Sequence, residues 1–271
     1  MAFLSAVQTN SSDDVAGNLA VAEQYIKQAS RDGSVLVVLP ECFAFMQRSR
    51  QQLLDTAEPF GVGPIQDSLT SLSAKYRIWI IAGSIPLQSD DQNKVANTLL
   101  VYDAEGSCVQ RYDKIFLFDV TLANGESYRE SDYTVYGNQL AVVHSPVGCI
   151  GLSICYDLRF PEMYRKLVSM GAQVLVVPSA FSSTTGRQHW LPLLQARAIE
   201  NSCYVVAPAQ TGVHNGKRKT WGHTVIIDPW GEVMSKLETG QGIVSAEIDL
   251  EKLNEIRAQL PSLQHTRPDL F

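Results

Sequence analysis

Two stretches restrict the fold of this chain more than any other feature: DGSVLVVLPE at 32–41 and GAQVLVVPSA at 171–180. Each has a glycine that can end a helix, then a short apolar run rich in valine, then a proline with a polar neighbour. An all-apolar, β-branched run of this length suits a strand covered on both faces inside a sheet. The match has two readings. The chain is an approximate duplication, with two half-units whose strand ends meet at one site, or two buried strands look alike because short apolar runs do.

Around these runs the pattern alternates. Strands are expected at 3–9, 78–84, 139–144, 147–154 and 203–208, with a late one in GIVSAEIDL. Val15, Leu19, Ala22, Ile26 and Ala29 recur at three- and four-residue steps, which predicts an amphipathic helix to about Ser30. Ser12 is expected to cap it, with Asp13 and Asp14 in the first turn, where carboxylates suit the helix dipole. Further helices are expected at 64–76, 161–170, 187–201 and in EKLNEIRAQL. Hairpins are expected over 97–114, turning at 104–106, and around DPWGE at 228–232. Strands alternating with helices indicate a layered α/β domain. The hairpins argue against a (β/α)8 barrel, which is all parallel. With no linker in view, residues 1–271 read as one domain, with 260–271 an irregular tail holding two prolines.

A chain of 271 residues, 45% hydrophobic, is long enough for a substantial core. Its net charge of −6 and the lack of an RNP, KH or zinc-finger pattern argue against a nucleic-acid partner. An acidic chain that binds an anion must do so with a few placed cations. The densest basic cluster is Lys217, Arg218 and Lys219. It reads as a solvated turn or as a segment that helps hold an anionic substrate. The five cysteines are irregularly spaced, without C-x-x-C, so neither a disulfide framework nor a zinc site is expected. That usage suggests a cytoplasmic compartment. The N-terminal segment lacks the basic and apolar regions of a signal peptide. No apolar run is long enough to span a bilayer, so no membrane partner is expected.

Three segments end an apolar run with a reactive group: VVLPE at Glu41, VQRYDK at Lys114 and GLSIC at Cys155. Taken singly, Cys155 reads as a packed core residue, Glu41 as a helix-entry carboxylate and Lys114 as a solvated edge residue. Ligand sites in α/β folds lie beyond the carboxyl ends of strands. If the three ends converge, they supply a base, a cation and a thiol, a set sufficient for acyl transfer. Glu41 would accept the thiol proton, with Lys114 favouring the thiolate. Cys155 would attack a carbonyl, and Lys114 with the Tyr156 backbone N–H would hold the oxyanion. Glu41 would then protonate the leaving amine, and water would open the thioester. No metal or organic cofactor is required.

The segments LPE, YDK and CYDLRFPE, in that order, resemble the nitrilase superfamily of carbon–nitrogen hydrolases, with its Glu–Lys–Cys triad. The resemblance covers nearly the whole chain. It implies a four-layer αββα sandwich with two pseudo-repeated half-units, and homodimers that pack through helices near the nucleophile. It also implies a second glutamate between Lys and Cys, supplied by YRESDYTVYG as Glu130, that orients Lys114 and assists proton transfer. PSAFSSTTGRQHW, LLQARAIENSCYVVAPAQTG, WGHTVIIDPWGEV and LPSLQHTRPDLF look like the branch holding deaminated-glutathione amidase and omega-amidase. Such enzymes hydrolyse the far amide of a 2-oxo dicarboxylic acid. Deaminated glutathione would give 2-oxoglutarate and cysteinylglycine. By the same resemblance Phe181 and Thr185 line the substrate pocket. Arg159 either binds a substrate carboxylate or braces the turn by pairing with Asp157. Two positions depart from the branch: Phe116 stands where His is common, and Arg187 where Pro is common. Rival readings are omega-amidase acting on 2-oxoglutaramate, a true nitrilase, a Cys155–histidine engine using His189 or His223, and a non-catalytic scaffold. A scaffold should have lost a triad residue, and none is missing.

Overall fold

Successive residues of a strand face opposite ways, and the run Ser34–Val38 divides its side chains accordingly. Leu36 and Val38 enter one core, while Val37 enters another. The computed structural model describes residues 2–122 and 125–267. The first half contains β1 (Ala2–Gln8), α1 (Val15–Arg31), β2 (Ser34–Val38), α2 (Arg50–Thr56), α3 (Pro64–Tyr76), β3 (Trp79–Ile81) and β4 (Ile85–Gln88). It continues with two hairpins, β5–β6 (Val95–Tyr102, Cys108–Asp113) and β7–β8 (Asp119–Thr121, Ser127–Arg129). The second half contains β9 (Val142–Ser145), β10 (Gly148–Leu152), α4 (Pro161–Ser169), β11 (Val174–Val176), α5 (Ser183–Asn201) and β12 (Tyr204–Ala207). Two hairpins follow, β13–β14 (Thr211–His214, Arg218–Trp221) and β15–β16 (Thr224–Ile227, Val233–Leu237), then β17 (Gly242–Ile248) and α6 (Leu250–Gln259).

The two main sheets share one plan. In the first, β1, β2 and β3 are parallel neighbours, flanked by antiparallel β17 on β1 and β5 on β3. In the second, β10, β11 and β12 are parallel, flanked by antiparallel β9 on β10 and β15 on β12. The two similar runs, β2 and β11, are the central parallel strand of each triplet, so the duplication reading holds. One core joins Leu4, Leu36 and Val38 of the first sheet to Ile150, Leu152 and Val176 of the second, with Leu167 of α4 and Leu194 of α5. The other packs Val7, Val37 and Ile80 against Ile26 of α1 and Leu69 of α3. Helices cover the outer face of each sheet, and the layers run αββα.

Several local expectations shift. α1 begins at Val15 with Asp14 as its N-cap, so Asp13 and Asp14 precede the first turn. The Ser12 hydroxyl accepts from the Asp14 N–H at 3.2 Å instead, and Asp13 pairs with Arg48. α5 starts four residues earlier than its apolar period suggests, because Ser182 caps it by accepting from the Thr184 N–H. α2 and β13–β14 were not expected. α2 is short and buries only Leu53, too little to leave a periodic signal. Ser262–Gln264 forms one 3₁₀ turn in the tail; 268–271, part of the segment expected to be irregular, lies outside the described residues. One glycine positions the site directly. Gly83 has φ +44°, and a Cβ there would lie 2.0 Å from the Pro40 carbonyl oxygen, just before Glu41.

Candidate active site

The strand ends converge. Glu41 lies beyond β2, Lys114 directly follows β6, Cys155 lies beyond β10, and Glu130 opens a 3₁₀ turn after β8. All four are buried and line one pocket. Lys114, 2% exposed, is held between two carboxylates. Its Nζ donates to Glu41 Oε1 at 2.9 Å and to Glu130 Oε1 and Oε2 at 3.0 and 2.9 Å. Asn97 Nδ2 bridges the same two carboxylates, at 3.1 Å to Glu41 and 3.2 Å to Glu130. The backbone completes the cage. The Phe118 N–H donates to Glu130 Oε2 at 2.7 Å, and the Ala180 N–H to Glu41 Oε2 at 2.8 Å. Ala180 lies beyond β11, so the matching proline-bearing ends of the two half-units meet at Glu41.

Cys155 occupies a strained turn. Its φ is +50°, a left-handed conformation that costs an L-residue roughly 1–2 kcal/mol. The surroundings hold it there. Its N–H donates to the Pro178 carbonyl at 3.0 Å, and a 3₁₀ turn, Cys155–Arg159, follows at once. Asp157, fully buried, accepts from the Tyr112 hydroxyl at 2.6 Å, the Ile154 N–H at 2.8 Å and the Phe116 N–H at 3.0 Å. Phe116 stacks on Phe160, a use for the ring at a position where the branch commonly has His. The Tyr156 N–H belongs to the first turn of this short helix, where amides lack an intrahelical partner.

The electrostatics favour a carboxylate and a neutral thiol at rest. Burial pushes the Glu41 carboxyl up, but the charges of Lys114 and Arg218 and hydrogen bonds from Lys114 and Cys155 pull it below its ordinary value. Burial and then the Glu41 charge push the Cys155 thiol well up, and Lys114 only partly offsets them. Lys114 stays protonated: burial disfavours its charge, but Glu130 and Glu41 outweigh burial. Its charge is therefore committed to two carboxylates. The arrangement can deliver a thiol proton to Glu41 as sulfur attacks, with cationic and amide donors beside the developing oxyanion.

Tyr156, Phe181 and Thr185 line the pocket, and the Thr185 Oγ1 is buried with no hydrogen-bond partner among the described residues. Arg159 makes no ion pair with Asp157. Its Nη1 lies 3.3 Å from His189 Nδ1, and its guanidinium sits over the Tyr156 and Phe181 rings at 5.8 and 5.4 Å. It stands behind two pocket residues and does not itself line the pocket. Neither His189 nor His223 lines it; His223 stacks on Trp221. Two pocket residues were missed from sequence, Asn97 and Arg218. Within the KRK run, Lys217 and Lys219 are exposed, and Arg218 turns inward on the same face of β14 as buried Thr220.

The chain belongs to the carbon–nitrogen hydrolase family, whose model matches residues 3–258. Among its relatives, a deaminated glutathione amidase of Synechocystis sp. is 43% identical over 264 residues, covering 96% of each chain. A deaminated glutathione amidase of Bos taurus is 40% identical over 99% of this chain and 83% of its own. The Caenorhabditis elegans NitFhit protein superposes with a TM-score of 0.93 at 37% identity, over all of this chain and 67% of that one. Saccharomyces cerevisiae Nit3, a nitrilase-superfamily member, gives 0.88 at 29% identity over 100% and 97%.

Proposed function

We propose that this chain is a cysteine-dependent amidase that hydrolyses deaminated glutathione to 2-oxoglutarate and cysteinylglycine. The observation that carries the reading is Glu41, an ionised carboxylate hydrogen-bonded to both Lys114 and the Cys155 thiol inside one buried pocket. The names of the relatives supply the substrate class. Glu41 removes the thiol proton as Cys155 Sγ attacks the amide carbon. The oxyanion is met by Lys114 and the Tyr156 N–H. Collapse breaks the C–N bond, and protonated Glu41 gives its proton to the departing amine of cysteinylglycine. Water, deprotonated by Glu41, then attacks the thioester and releases 2-oxoglutarate, returning the proton to Cys155. Glu130 positions Lys114 and balances its charge. Phe181 and Thr185 shape the acyl pocket, and Arg159 orders the Tyr156 and Phe181 walls.

In this reading the chain acts as a single-domain homodimer in the cytoplasm. Free thiols at all five cysteines fit a reducing compartment. Exposed apolar Met170 beside α4 and Ile199 on α5 fit packing through those helices. The test is release of 2-oxoglutarate from deaminated glutathione by wild type and by Cys155→Ala, with intact-mass detection of a thioester on Cys155. Absence of Cys155-dependent release would refute the reading. Higher kcat/KM on 2-oxoglutaramate, with ammonia as product, would move the substrate to the omega-amidase alternative and leave the mechanism in place.

A further inference from the structure

The pocket holds a cation that the acyl-transfer chemistry does not use. Arg218 projects from β14 into it and makes no ion pair with a carboxylate among the described residues. Its Nη2 donates to the Ala180 carbonyl at 3.1 Å, and its Nη1 lies 3.5 Å from Met46 Sδ. Most of its five N–H donors remain uncommitted. A desolvated guanidinium without a counter-anion is costly, and one kept in a pocket implies an anion that arrives with the ligand. The other charges around it do not answer that need. Glu41 and Glu130 are already engaged by Lys114 and Asn97. The Thr185 hydroxyl, buried and unpartnered, is a second polar group lining the same pocket.

The geometry points to Arg218 and Thr185 as the subsite for the carboxylate on the acyl half of the substrate. This rests on the proposed amidase reading and names the group that makes the pocket selective. Its reach follows from Ala180, whose N–H bonds Glu41 and whose carbonyl bonds Arg218. One residue therefore separates catalytic base from free cation, a span of no more than about 10 Å. A carboxylate seated on Arg218 lies only a short carbon chain from the carbonyl at Cys155. That fits a short dicarboxylic acyl group, and leaves the amine half to be accepted loosely.

The test separates this subsite from catalysis. In wild type, 2-oxoglutarate and glutarate should slow alkylation of Cys155 by iodoacetamide, and pentanamide, which has no carboxylate, should not. Arg218→Gln and Arg218→Lys should each weaken that protection, by roughly 10- to 100-fold in the concentration needed. On deaminated glutathione and 2-oxoglutaramate, KM should rise by a similar factor with kcat changed little, and any slow turnover of pentanamide should be unaffected. Thr185→Val breaks no internal hydrogen bond, so it should fold normally. It should raise KM on the two acids by roughly 3- to 10-fold. Protection unchanged in Arg218→Lys and Thr185→Val, or equal losses on acids and pentanamide, would overturn the subsite. Failure of wild type to hydrolyse either acid, with carboxylate protection intact, would instead overturn the amidase reading and leave the subsite standing.

Discussion

Cys42 and Cys155 line the same pocket, lie beyond the ends of β2 and β10, and both hold left-handed backbone, with φ +58° and +50°. Neither is acidic at rest. Burial, then the Glu41 charge, pushes the Cys42 thiol up to about 12, and the same two causes push Cys155 well above its ordinary value. Their neighbours separate them. The Cys155 thiol is hydrogen-bonded to the Glu41 carboxylate and is followed by a turn with open amides. Cys42 follows Glu41 in the chain, and the bond its end of the strand makes is from its N–H to Ser84 Oγ at 3.1 Å. Reactivity in this pocket is therefore encoded by where a base stands relative to sulfur, and not by a low thiol pKa.

The largest expected effect tests that contrast directly. Cys155→Ala should lower kcat/KM by roughly 10⁴-fold or more, as removal of a nucleophile does. Cys42→Ala should stay within about tenfold of wild type, because no step passes through it. Steady-state kinetics on deaminated glutathione, with melting curves to exclude unfolding, decide it. If Cys42→Ala were as inactive as Cys155→Ala, the two thiols would be working together and the contrast would collapse.

The next effect bears on the base that distinguishes the two. Glu41→Gln keeps the shape but cannot take a proton, so kcat should fall by roughly 10²–10⁴. His189→Ala and His223→Ala, outside the pocket, should change kcat by less than about tenfold. A histidine variant as impaired as Glu41→Gln would transfer the base to that ring.

What the sequence discloses follows the same division. Glu41, Lys114 and Cys155 were legible because each interrupts an apolar run at a strand end, where a charge or thiol has no packing reason to be. Glu130 was legible only through resemblance, since its loop has no period. Asn97 opens an apolar strand and carries no mark that it bridges two carboxylates. Arg218 was hidden by its lysine neighbours; a basic triplet reads as solvated until the alternation of β14 places its middle member beside Thr220. The duplication was half visible. Two similar runs marked the central strands, but the flanking antiparallel strands that complete each half-unit share no obvious sequence. Ser12 was assigned the wrong cap because serine and aspartate compete for that role, and the turn geometry chose Asp14.

A third test concerns the brace under Cys155, for which the Cys42 side has no equivalent carboxylate. Burial raises the Asp157 carboxyl to about 6, against hydrogen bonds from Tyr112 and the backbone that pull it down. The folded value is above the unfolded one, so the native state binds more protons between them. The contribution is full below the unfolded value of 3.8 and falls as pH rises through about 6. The full span corresponds to about 3 kcal/mol. Asp157→Asn should remove it. Between about pH 4 and about pH 7 the variant should gain stability relative to wild type, read from urea midpoints. Parallel curves across that range would mean that Asp157 is ionised throughout.

The smallest effect compares how the two left-handed turns are held. The Cys155 N–H is accepted by a backbone carbonyl, that of Pro178, which no side-chain substitution can remove. The Cys42 N–H relies on the hydroxyl of Ser84, itself 1% exposed. Ser84→Ala leaves that amide unpaired in a dry place, at a cost of about 1–2 kcal/mol and a fall in Tm of roughly 2–6 °C. The turn at Cys42 should loosen while Glu41 stays fixed by Lys114, Asn97 and the Ala180 N–H, so kcat should fall by less than about tenfold. Calorimetry and kinetics on the same preparation read both quantities. An unchanged Tm would show that the Cys42 turn does not depend on Ser84. A loss of kcat as large as that of Glu41→Gln would show that the Cys42 turn sets the position of the base, and the two strand ends would then be one device.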